Sequence, residues 1–244
     1  MDPRTTIIEK RLQNIKRIIA VASGKGGVGK SMITAGLAVS LSSKGYNVGL
    51  LDLDMYGPSA HVILGVTPRF PDEDKGVVPP EVHGIHLMSM VYYTQDKPLA
   101  FRGKEITNSI IELLTITQWG DLDYLLVDMP PGLGDETLDV MHWLNRAEFL
   151  VVTTPSRVAL EAVKKALLLI QELDHPLLGV VENMMMNPKY STQDDIKKLN
   201  TAYLGSIVFD EQLEQTLGDP KQIQNTLFLK QLRPIVELVT TQKK

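Results

Sequence analysis

The residues best suited to chemistry lie in the segment GKGGVGKS, residues 24–31. Gly24, four further residues and then Gly29-Lys30-Ser31 give the spacing of a phosphate-binding loop, whose backbone N–H groups surround the phosphates. Lys30 is expected to reach the β- and γ-phosphates, and Ser31 is expected to ligate Mg²⁺. One lysine is enough for such a loop, so the segment also raises the question of what Lys25 does.

Two acidic segments complete the predicted nucleotide site. The segment LLVDMPPG ends an apolar run with Asp128, where a carboxylate can hold a water of the Mg²⁺ shell. The segment LLDLDMYGPS contains Asp52 and Asp54, and strand alternation turns both side chains toward the same face. One of them can then face the γ-phosphate. Aspartates also cap turns and helices, but their combination with the phosphate loop favours a catalytic site.

Short apolar runs alternate with segments of helical period along the chain. Most of the runs are apolar on both faces, which is typical of parallel strands covered by helices on both sides. The sequence therefore predicts an α/β fold with a mostly parallel, doubly wound sheet that binds ligands at the carboxyl ends of its strands. The predicted strands are residues 17–23, 47–54, 84–90, 123–129, 148–154, 177–183 and 202–208. The predicted helices are residues 30–44, 104–118, 136–146, 156–173, 192–200, 210–218 and 223–240.

No linker interrupts this alternation. Residues 1–244 are therefore expected to form a single domain that contains the phosphate loop, with residues 1–16 as an N-terminal extension. Residues 71–84 contain three prolines and an acidic cluster and are predicted to form a long surface loop. The first residues lack the apolar core of a signal peptide, and no run of ~18 apolar residues occurs, so we expect a cytoplasmic protein.

Composition argues against several functions. The net charge of −4 and the pI of about 5.8 give no support to a broad attraction for nucleic acid or anionic lipid. The absence of cysteine excludes a disulfide or a thiolate metal site within these residues. The C-terminal segment TLFLKQLRPIVELVTTQKK has an apolar face, but Pro234 is expected to interrupt it and few basic residues line it. Simple packing of this helix is therefore favoured over membrane docking.

Several of these segments resemble those of a known family. KGGVGKS is similar to the deviant Walker A loop of the MinD/ParA-like P-loop ATPases, and LDLDMYGPS and LLVDMPPGLGDE resemble their two switch regions. Within that class, four segments most resemble the Mrp/ApbC subfamily, whose members carry iron-sulfur clusters to apoproteins. They are FRGKEI (101–106), residues 119–135, VVTTPSRVAL (151–160) and VVENM (180–184).

The resemblance implies an ATP-dependent homodimer that binds ATP and Mg²⁺ and acts on an unknown client. Lys30 would serve the ATP of its own subunit, and Lys25 would reach the phosphates bound by the other subunit. Asp54 would orient or activate the attacking water, Asp128 would support Mg²⁺ through a bound water, and Asn183 would read the adenine edge. The nucleotide contacts predicted in this way are Gly24, Lys25, Gly26, Gly27, Val28, Gly29, Lys30, Ser31, Met32 and Asn183.

The chain departs from the subfamily after VENM. The subfamily places a Cys-x-x-Cys motif there, whereas this chain reads VENMMMNPKYSTQDD, so we expect no iron-sulfur cluster on its own thiolates. Two weaker ligand sets are His83 with His86 and the run Met184–Met186. Both are more readily explained as surface and packing residues.

Two further departures lie near the nucleotide. Met32 replaces a family threonine whose hydroxyl would bond an α-phosphate oxygen, which predicts weaker nucleotide binding by about 1.5–3 kcal/mol. Ile207-Val208 replaces a common Ile-Pro, so a proline near the adenine ring is lost.

Three functions fit these observations. The first is a Mg-ATPase dimer that assists metallocluster or protein maturation without its own cluster ligands. The second is a positioning or regulatory ATPase of the MinD/ParA type, acting as a nucleotide-gated binding module. The third is a metabolic ATP-dependent enzyme on the same scaffold, which the fold alone does not exclude.

Overall fold

A parallel sheet forms the centre of the molecule. The computed structural model of the chain describes residues 3–94 and 103–241. Its strands are β1 (Ile15–Ser23), β2 (Val48–Asp52), β3 (Glu81–Val82), β4 (Ile85–Ser89), β5 (Leu122–Asp128), β6 (Glu148–Thr153), β7 (Leu177–Met185) and β8 (Tyr203–Val208). Within the described residues these form one eight-stranded sheet of order β3-β4-β2-β5-β1-β6-β7-β8. Among the strand pairs that the described residues form, only β3–β4 is antiparallel. The predicted α/β fold class is confirmed.

Helices cover both faces of this sheet. They are α1 (Pro3–Leu12), α2 (Lys30–Ser43), α3 (Ala60–Ile63), α4 (Val91–Thr94), α5 (Lys104–Ile116), α6 (Asp135–Trp143), α7 (Arg157–Glu172), α8 (Gln193–Lys198), α9 (Pro220–Ile223) and α10 (Leu227–Thr241). Two short 3₁₀ turns span Pro188–Tyr190 and Leu213–Thr216.

The seven predicted strands are all present, with ends that differ by no more than two residues from the prediction. The predicted helices were less accurate near the C-terminus. Residues 210–218 contain only the 3₁₀ turn Leu213–Thr216, and the helix predicted at 223–240 is divided into α9 and α10. The predicted loop 71–84 contains the two-residue strand β3, which pairs with β4.

Helix α2 is the most deeply packed helix, because it lies between the sheet and α10. Ten of its residues are buried. A side chain at Gly36 would meet the side chains of Leu232 and Phe228 at 2.7 and 2.9 Å, so the absence of a Cβ lets the two helices approach. This packing fixes the axis of the helix that starts at the phosphate loop.

Helix α10 keeps its apolar face inside the molecule. Its buried residues are Phe228, Leu229, Leu232, Ile235, Val236 and Val239. The expectation that Pro234 interrupts this apolar face was wrong, since Pro234 lies on the exposed side of α10 and the helix continues through it. Pro234 and Lys230 are both exposed, so the carbonyl of Lys230 that loses its helical partner can bind water instead.

The N-terminal residues are also packed. Helix α1 contacts α5, and its Ile8 and Leu12 are buried. Part of one segment that carried the family resemblance, Phe101 and Arg102, lies outside the described residues. Among the residues that the structure does describe, no helix is long and apolar enough to cross a membrane.

A partly buried ion pair ties the sheet to α10. The Arg17 guanidinium donates to both Glu148 oxygens, at 2.8 and 2.7 Å, and to the carbonyl of Val239 at 2.7 Å. The side chain of Arg17 is 19% exposed and that of Glu148 is 6% exposed, so the pair is shielded from water. It therefore holds β1, β6 and α10 together at one point.

Arg17→Ala should destabilise the chain by about 3 kcal/mol, because it leaves the Glu148 carboxylate buried without its cation. The free energy of unfolding, measured by urea titration, tests this. The matched control is Lys16→Ala, since Lys16 bonds Asp123 at 2.7 Å but is 76% exposed. We expect the control to leave the midpoint unchanged within error. Equal losses from both variants would contradict the structural role given to Arg17.

Candidate nucleotide site

The phosphate loop lies at the carboxyl edge of the sheet, between the end of β1 and the start of α2. Gly29 adopts a left-handed conformation, with φ 81°, at the residue before α2. A side chain at Gly24 would lie 2.5 Å from the backbone of Ala162 in α7, so the loop can sit against that helix only because residue 24 is glycine. The loop is thus held between β1, α2 and α7, with its N–H groups at the amino end of a helix.

Beneath the loop, Lys30 and Asp128 form a buried ion pair. The Lys30 ammonium lies 2.6 Å from Asp128 Oδ1, and the two residues are 6% and 0% exposed. The Thr34 hydroxyl lies one helical turn after Lys30, 3.0 Å from the same oxygen and 2.9 Å from the Lys30 carbonyl. The other oxygen, Asp128 Oδ2, is buried and has no hydrogen-bond partner among the described residues.

Asp52 lies beside Asp128, because the two aspartates are paired across neighbouring strands β2 and β5. Asp52 is fully buried and accepts hydrogen bonds from the backbone N–H groups of Asp54, Ser59 and Ala60, each at 3.1 Å. Burial, and next the negative charge of Asp128, raise the pKa of Asp52 to about 7, although the Ala60 N–H and Lys30 act in the opposite direction. The site thus places two carboxyl groups together over one lysine.

Asp54 has a different environment from Asp52. Strand β2 ends at Asp52, so strand alternation no longer governs Asp54, which is half-buried and faces a cavity. Its Oδ1 accepts from the backbone N–H groups of Tyr56 and Gly57, at 3.2 and 3.0 Å. Of the two aspartates, only Asp54 therefore lines the cavity beside the loop.

That cavity has a volume of about 530 Å³. Seven of the residues predicted from the sequence line it, namely Gly26, Gly27, Gly29, Lys30, Ser31, Met32 and Asp54. Other walls come from α3 and from the segment after β8. Gly24, Lys25, Val28, Asp128 and Asn183 do not line it. The size and the mixed lining suit a nucleotide.

Lys25 lies on the same loop as Lys30 but in different surroundings. It is half-buried, and its ammonium has no ion-pair or hydrogen-bond partner within residues 3–94 and 103–241. The Ser23 hydroxyl instead donates to the Lys25 carbonyl at 2.9 Å, which fixes the backbone at this point. The loop therefore presents one buried, paired lysine and one lysine that is available to an external anion.

Asn183 contacts the phosphate loop itself. It is buried, and its Nδ2 donates to the carbonyl of Val28 at 3.0 Å. The next residue, Met184, has φ 58° and lines the cavity. Recognition of the adenine edge by Asn183 stays a prediction, while its contact with the loop is a positioning role that the sequence did not indicate.

Sequence reasoning also missed Thr34 and the cavity wall after β8. The signal for Thr34 was present, because a residue four positions after Lys30 lies on the same helical face. No local signal identified the wall, because it depends on contacts between segments that are distant in sequence.

The residues available for Mg²⁺ fit that ion when a nucleotide is bound. No group of three or more His, Cys, Asp or Glu side chains that could hold a metal occurs in the described part of the chain. Mg²⁺ commonly takes only one or two protein ligands and completes its shell with phosphate and water. The Ser31 hydroxyl lines the cavity, and the buried Asp128 Oδ2 has no hydrogen-bond partner among the described residues, so these two groups would hold Mg²⁺ directly and through one of its waters.

A family model covers most of the chain. The ParA model, described as NUBPL iron-transfer P-loop NTPase, matches residues 14–236. The chain belongs to this family. The resemblance to Mrp/ApbC-type P-loop ATPases is thereby confirmed, and so is the place of the chain among the iron-sulfur cluster carrier P-loop NTPases.

Curated relatives within this family carry matching names. The iron-sulfur cluster carrier protein of Pseudomonas fragi is 45% identical over 181 residues, which are 72% of this chain and 63% of that protein. The iron-sulfur protein required for NADH dehydrogenase of Arabidopsis thaliana, a mitochondrial protein, is 41% identical over 184 residues, which are 74% of this chain and 58% of that protein. The chain thus spans less than two thirds of the length of either relative.

Two solved structures are similar to this chain. A nucleotide-binding protein in complex with ADP from Archaeoglobus fulgidus is 33% identical, has a TM-score of 0.76 and aligns over 90% of this chain and 92% of its own. The cell division ATPase MinD from Pyrococcus furiosus has a TM-score of 0.68 over 93% of this chain and 99% of its own. At 22% identity, the second comparison shows the fold alone.

The raised pKa of Asp52 predicts a pH-dependent stability in the nucleotide-free chain. Asp52 keeps its proton up to about pH 7 in the folded chain, whereas in the unfolded chain it releases the proton at its ordinary pKa of 3.8. The stability that this proton contributes is therefore greatest below about pH 4 and is lost as the pH rises through about 7. Asp52→Asn carries no charge at any pH. Relative to this variant, the unmodified chain should lose roughly 1.4 kcal/mol of stability per pH unit across that window.

Urea titrations of both chains between pH 5 and 8 measure the difference, which should level off above pH 7. Asp123→Asn is a suitable control, because the Lys16 ammonium holds the pKa of Asp123 below its usual range. If the stability of Asp52→Asn and of the unmodified chain changed in parallel with pH, burial would not raise the pKa of the Asp52 carboxyl.

Proposed function

We propose that this chain is a Mg-ATP-hydrolysing switch that works as a homodimer and assists metallocluster or protein maturation. The observation that carries the proposal is a single cavity in which Lys30, Ser31 and Asp54 meet, above a buried Asp128 with one oxygen left unpartnered. These are the groups required to hold a triphosphate, its metal ion and an attacking water.

Binding requires Lys30 to change partners. Its ammonium is paired with Asp128 at 2.6 Å, while the β- and γ-phosphates would lie on the cavity side of the loop. Bound with ATP, Mg²⁺ would neutralise part of the triphosphate charge. Ser31 would ligate the ion directly, and Asp128 would accept a hydrogen bond from one of its waters.

Asp54 is the residue proposed to orient the attacking water. Both hydrogen bonds that its side chain accepts within the described residues go to Oδ1, so Oδ2 is left to face a ligand. A carboxylate fixed by two backbone N–H groups loses little freedom when it positions a water for in-line attack on the γ-phosphorus. The proton of that water would pass to Asp54 or to a phosphate oxygen.

Lys25 is proposed to act on the nucleotide of the other subunit. It does not line the cavity of its own chain, and its ammonium has no partner within the described residues. A cation supplied across an interface stabilises charge on the transferring phosphoryl group, as arginine fingers do with gains of ~10³ to 10⁵ in rate. Hydrolysis would remove the charge that Lys25 binds and so favour the open state.

Mixing two inactive variants tests this division of labour. Lys25→Ala and Lys30→Ala should each lose hydrolysis by ~10³-fold. A mixed dimer should regain one working site, which combines the Lys30 of one chain with the Lys25 of the other. With random pairing, phosphate release should recover to roughly a quarter of the unmodified rate, because half of the dimers are mixed and each has one of two sites intact.

The control replaces Lys30→Ala in the mixture by a chain that carries both substitutions. That chain cannot supply Lys25 to its partner, so no recovery is expected. The shared site would be refuted if a mixture of the two single variants stayed as inactive as either variant alone.

The maturation role is proposed from the family of the chain and from its lack of the cysteines that hold a cluster. Relatives in this family are named iron-sulfur cluster carriers, and a bridging cluster held in the usual way needs four thiolates. The 244 residues contain no cysteine. We therefore propose that the cluster ligands belong to a client, and that this chain contributes ATP-dependent binding.

A capture experiment with Asp54→Ala tests this role. The variant should keep ATP and remain in the closed state, so cluster proteins or cysteine-rich proteins should be enriched from a native extract with Mg-ATP and not with ADP. Lys30→Ala with Mg-ATP is the control, because it lacks the phosphate contact. Enrichment of membrane, chromosome or signalling proteins instead would contradict the maturation role and favour a positioning ATPase.

The positioning alternative has little structural support in this chain. Its main sequence argument was the apolar face of the C-terminal helix, and the residues of that face in α10 are buried against the sheet and α2. A second function is therefore not proposed.

A further inference from the structure

The nucleotide cavity extends beyond the phosphate loop along a wall that carries several apolar side chains. They are Val62 and Ile63 of α3 on one side and Phe209, Leu213 and Leu217 on the other. Asp210, Glu211 and Glu214 of the second side also line the cavity. We call residues 209–218 the strap. With the phosphates held by the loop, the rest of a nucleotide must lie along this wall, where apolar side chains can contact a nucleobase.

The first end of the strap is fixed to the body of the protein. The N–H of Phe209 donates to the carbonyl of Met185 at 3.0 Å. Asp210 accepts from the N–H of Phe228 at 3.0 Å and from that of Gln212 at 3.1 Å. The bonds to Met185 and Phe228 anchor the first end of the strap to β7 and to the start of α10.

The far end of the strap is joined to the helix that follows Asp54. The N–H of Gly218 donates to the carbonyl of Ile63 at 3.0 Å. At Gly65, with φ 68°, a Cβ would lie 2.0 Å from the Gly218 carbonyl oxygen, so the two backbones are in direct contact. The strap follows β8 and α3 follows β2, which are not neighbours in the sheet. The contact is therefore made by the strap itself as it crosses the cavity.

Helix α3 is connected in turn to the acidic residues. The N–H groups of Ser59 and Ala60, where α3 begins, donate to Asp52 Oδ2, and the N–H of Asp54 donates to Asp52 Oδ1. A continuous series of contacts thus runs from the strap through α3 to the Asp52 carboxyl, and from that carboxyl to the backbone N–H of Asp54. A shift of α3 relative to Asp52 would alter the backbone that carries Asp54.

We propose that the Gly65–Gly218 contact makes the strap a positioning element for Asp54, so that a nucleoside phosphate orders the Asp54 segment and a bare polyphosphate does not. A nucleobase against Phe209 and Leu213 holds the strap, the strap holds α3 through Gly218, and α3 holds the segment of Asp54. The inference rests on the proposed nucleotide binding and adds that the base contributes to the arrangement of the catalytic residues as well as to affinity.

Amide hydrogen exchange of residues 54–65 tests the proposal without measuring hydrolysis. The probes are Mg-ADP and Mg-pyrophosphate, each at saturation, which share two phosphates and differ in the nucleoside. We expect Mg-ADP to slow exchange in residues 54–65 and in the strap by at least about tenfold, and Mg-pyrophosphate to protect only the phosphate loop. Equal protection of residues 54–65 by both ligands would overturn the proposal.

The variant Gly65→Ala separates the contact between the strap and α3 from the binding of Mg-ADP. The added Cβ would push the strap away from α3, so Mg-ADP should still protect the strap while its protection of residues 54–65 is lost. Gly120→Ala is the matched control, because Gly120 has nearly the same φ, 65°, and a Cβ there meets nothing within 4 Å. If Mg-ADP still slowed amide exchange of residues 54–65 in Gly65→Ala, the Gly65–Gly218 contact would not be what orders the Asp54 segment.

A failure of the proposed nucleotide binding can be distinguished from a failure of the role given to the strap. If calorimetry detects no Mg-ADP binding to the unmodified chain, the proposed function and this inference both fall. If Mg-ADP binds and protects the loop but leaves residues 54–65 unchanged, the inference alone is wrong. The comparison of the two ligands on the unmodified chain stands even if Gly65→Ala does not fold.

Discussion

The ion pair between Lys30 and Asp128 is the interaction on which the rest of the site depends. A lysine and an aspartate that are 6% and 0% exposed can remain charged in the interior only if each compensates the other. The pair joins the first residue of α2 to the last residue of β5, and so fixes the phosphate loop relative to the sheet edge. Thr34 supports the same oxygen from the next turn of the helix. All of these contacts are made to Oδ1, so the opposite oxygen is left without a hydrogen-bond partner among the described residues.

The same pair explains why two neighbouring aspartates have different roles. Asp52 is fully buried next to Asp128, and burial, followed by the charge of Asp128, raises the pKa of its carboxyl to about 7. The same carboxyl accepts hydrogen bonds from three backbone N–H groups. Such a group holds the following segment in place, but it cannot reach a ligand in the cavity. Asp54 lies two residues beyond it, outside the strand, and has an oxygen free to meet water. The buried carboxyl positions the backbone, and the half-buried one is the residue for which we propose a role in catalysis.

Much of this arrangement could be predicted from the sequence, because its signals are local. Apolar runs of strand length separated by helical segments gave all seven predicted strands, and the fixed spacing of Gly24, Lys30 and Ser31 located the phosphate loop. Predictions failed where long-range contacts decide the structure. Pro234 was expected to interrupt the apolar face of the C-terminal helix, but it lies on the exposed side, and the buried residues of α10 pack against α2 and the sheet without a break at Pro234. Residues 210–218 were expected to be helical, but Asp210 bonds to α10 and Gly218 to α3, so the segment crosses the cavity with only one 3₁₀ turn. No local pattern could reveal these partners.

The two lysines of the loop are best understood by comparing what surrounds them. Lys30 lies over the end of β5, where a carboxylate is available at 2.6 Å, and the energy of its burial is offset by that partner. Lys25 precedes the turn of the loop, and no described carboxylate faces it, so it stays half-exposed with an unneutralised charge. In a chain with a net charge of −4, a cation in this position would be weakly attracted to acidic groups of its own molecule and strongly attracted to a triphosphate. In the proposed symmetric dimer, a triphosphate presented by a second loop of the same kind would satisfy that charge, since each chain would then supply one cation to the other. Loss of cysteine would leave this exchange intact, because it depends only on the loop and its nucleotide.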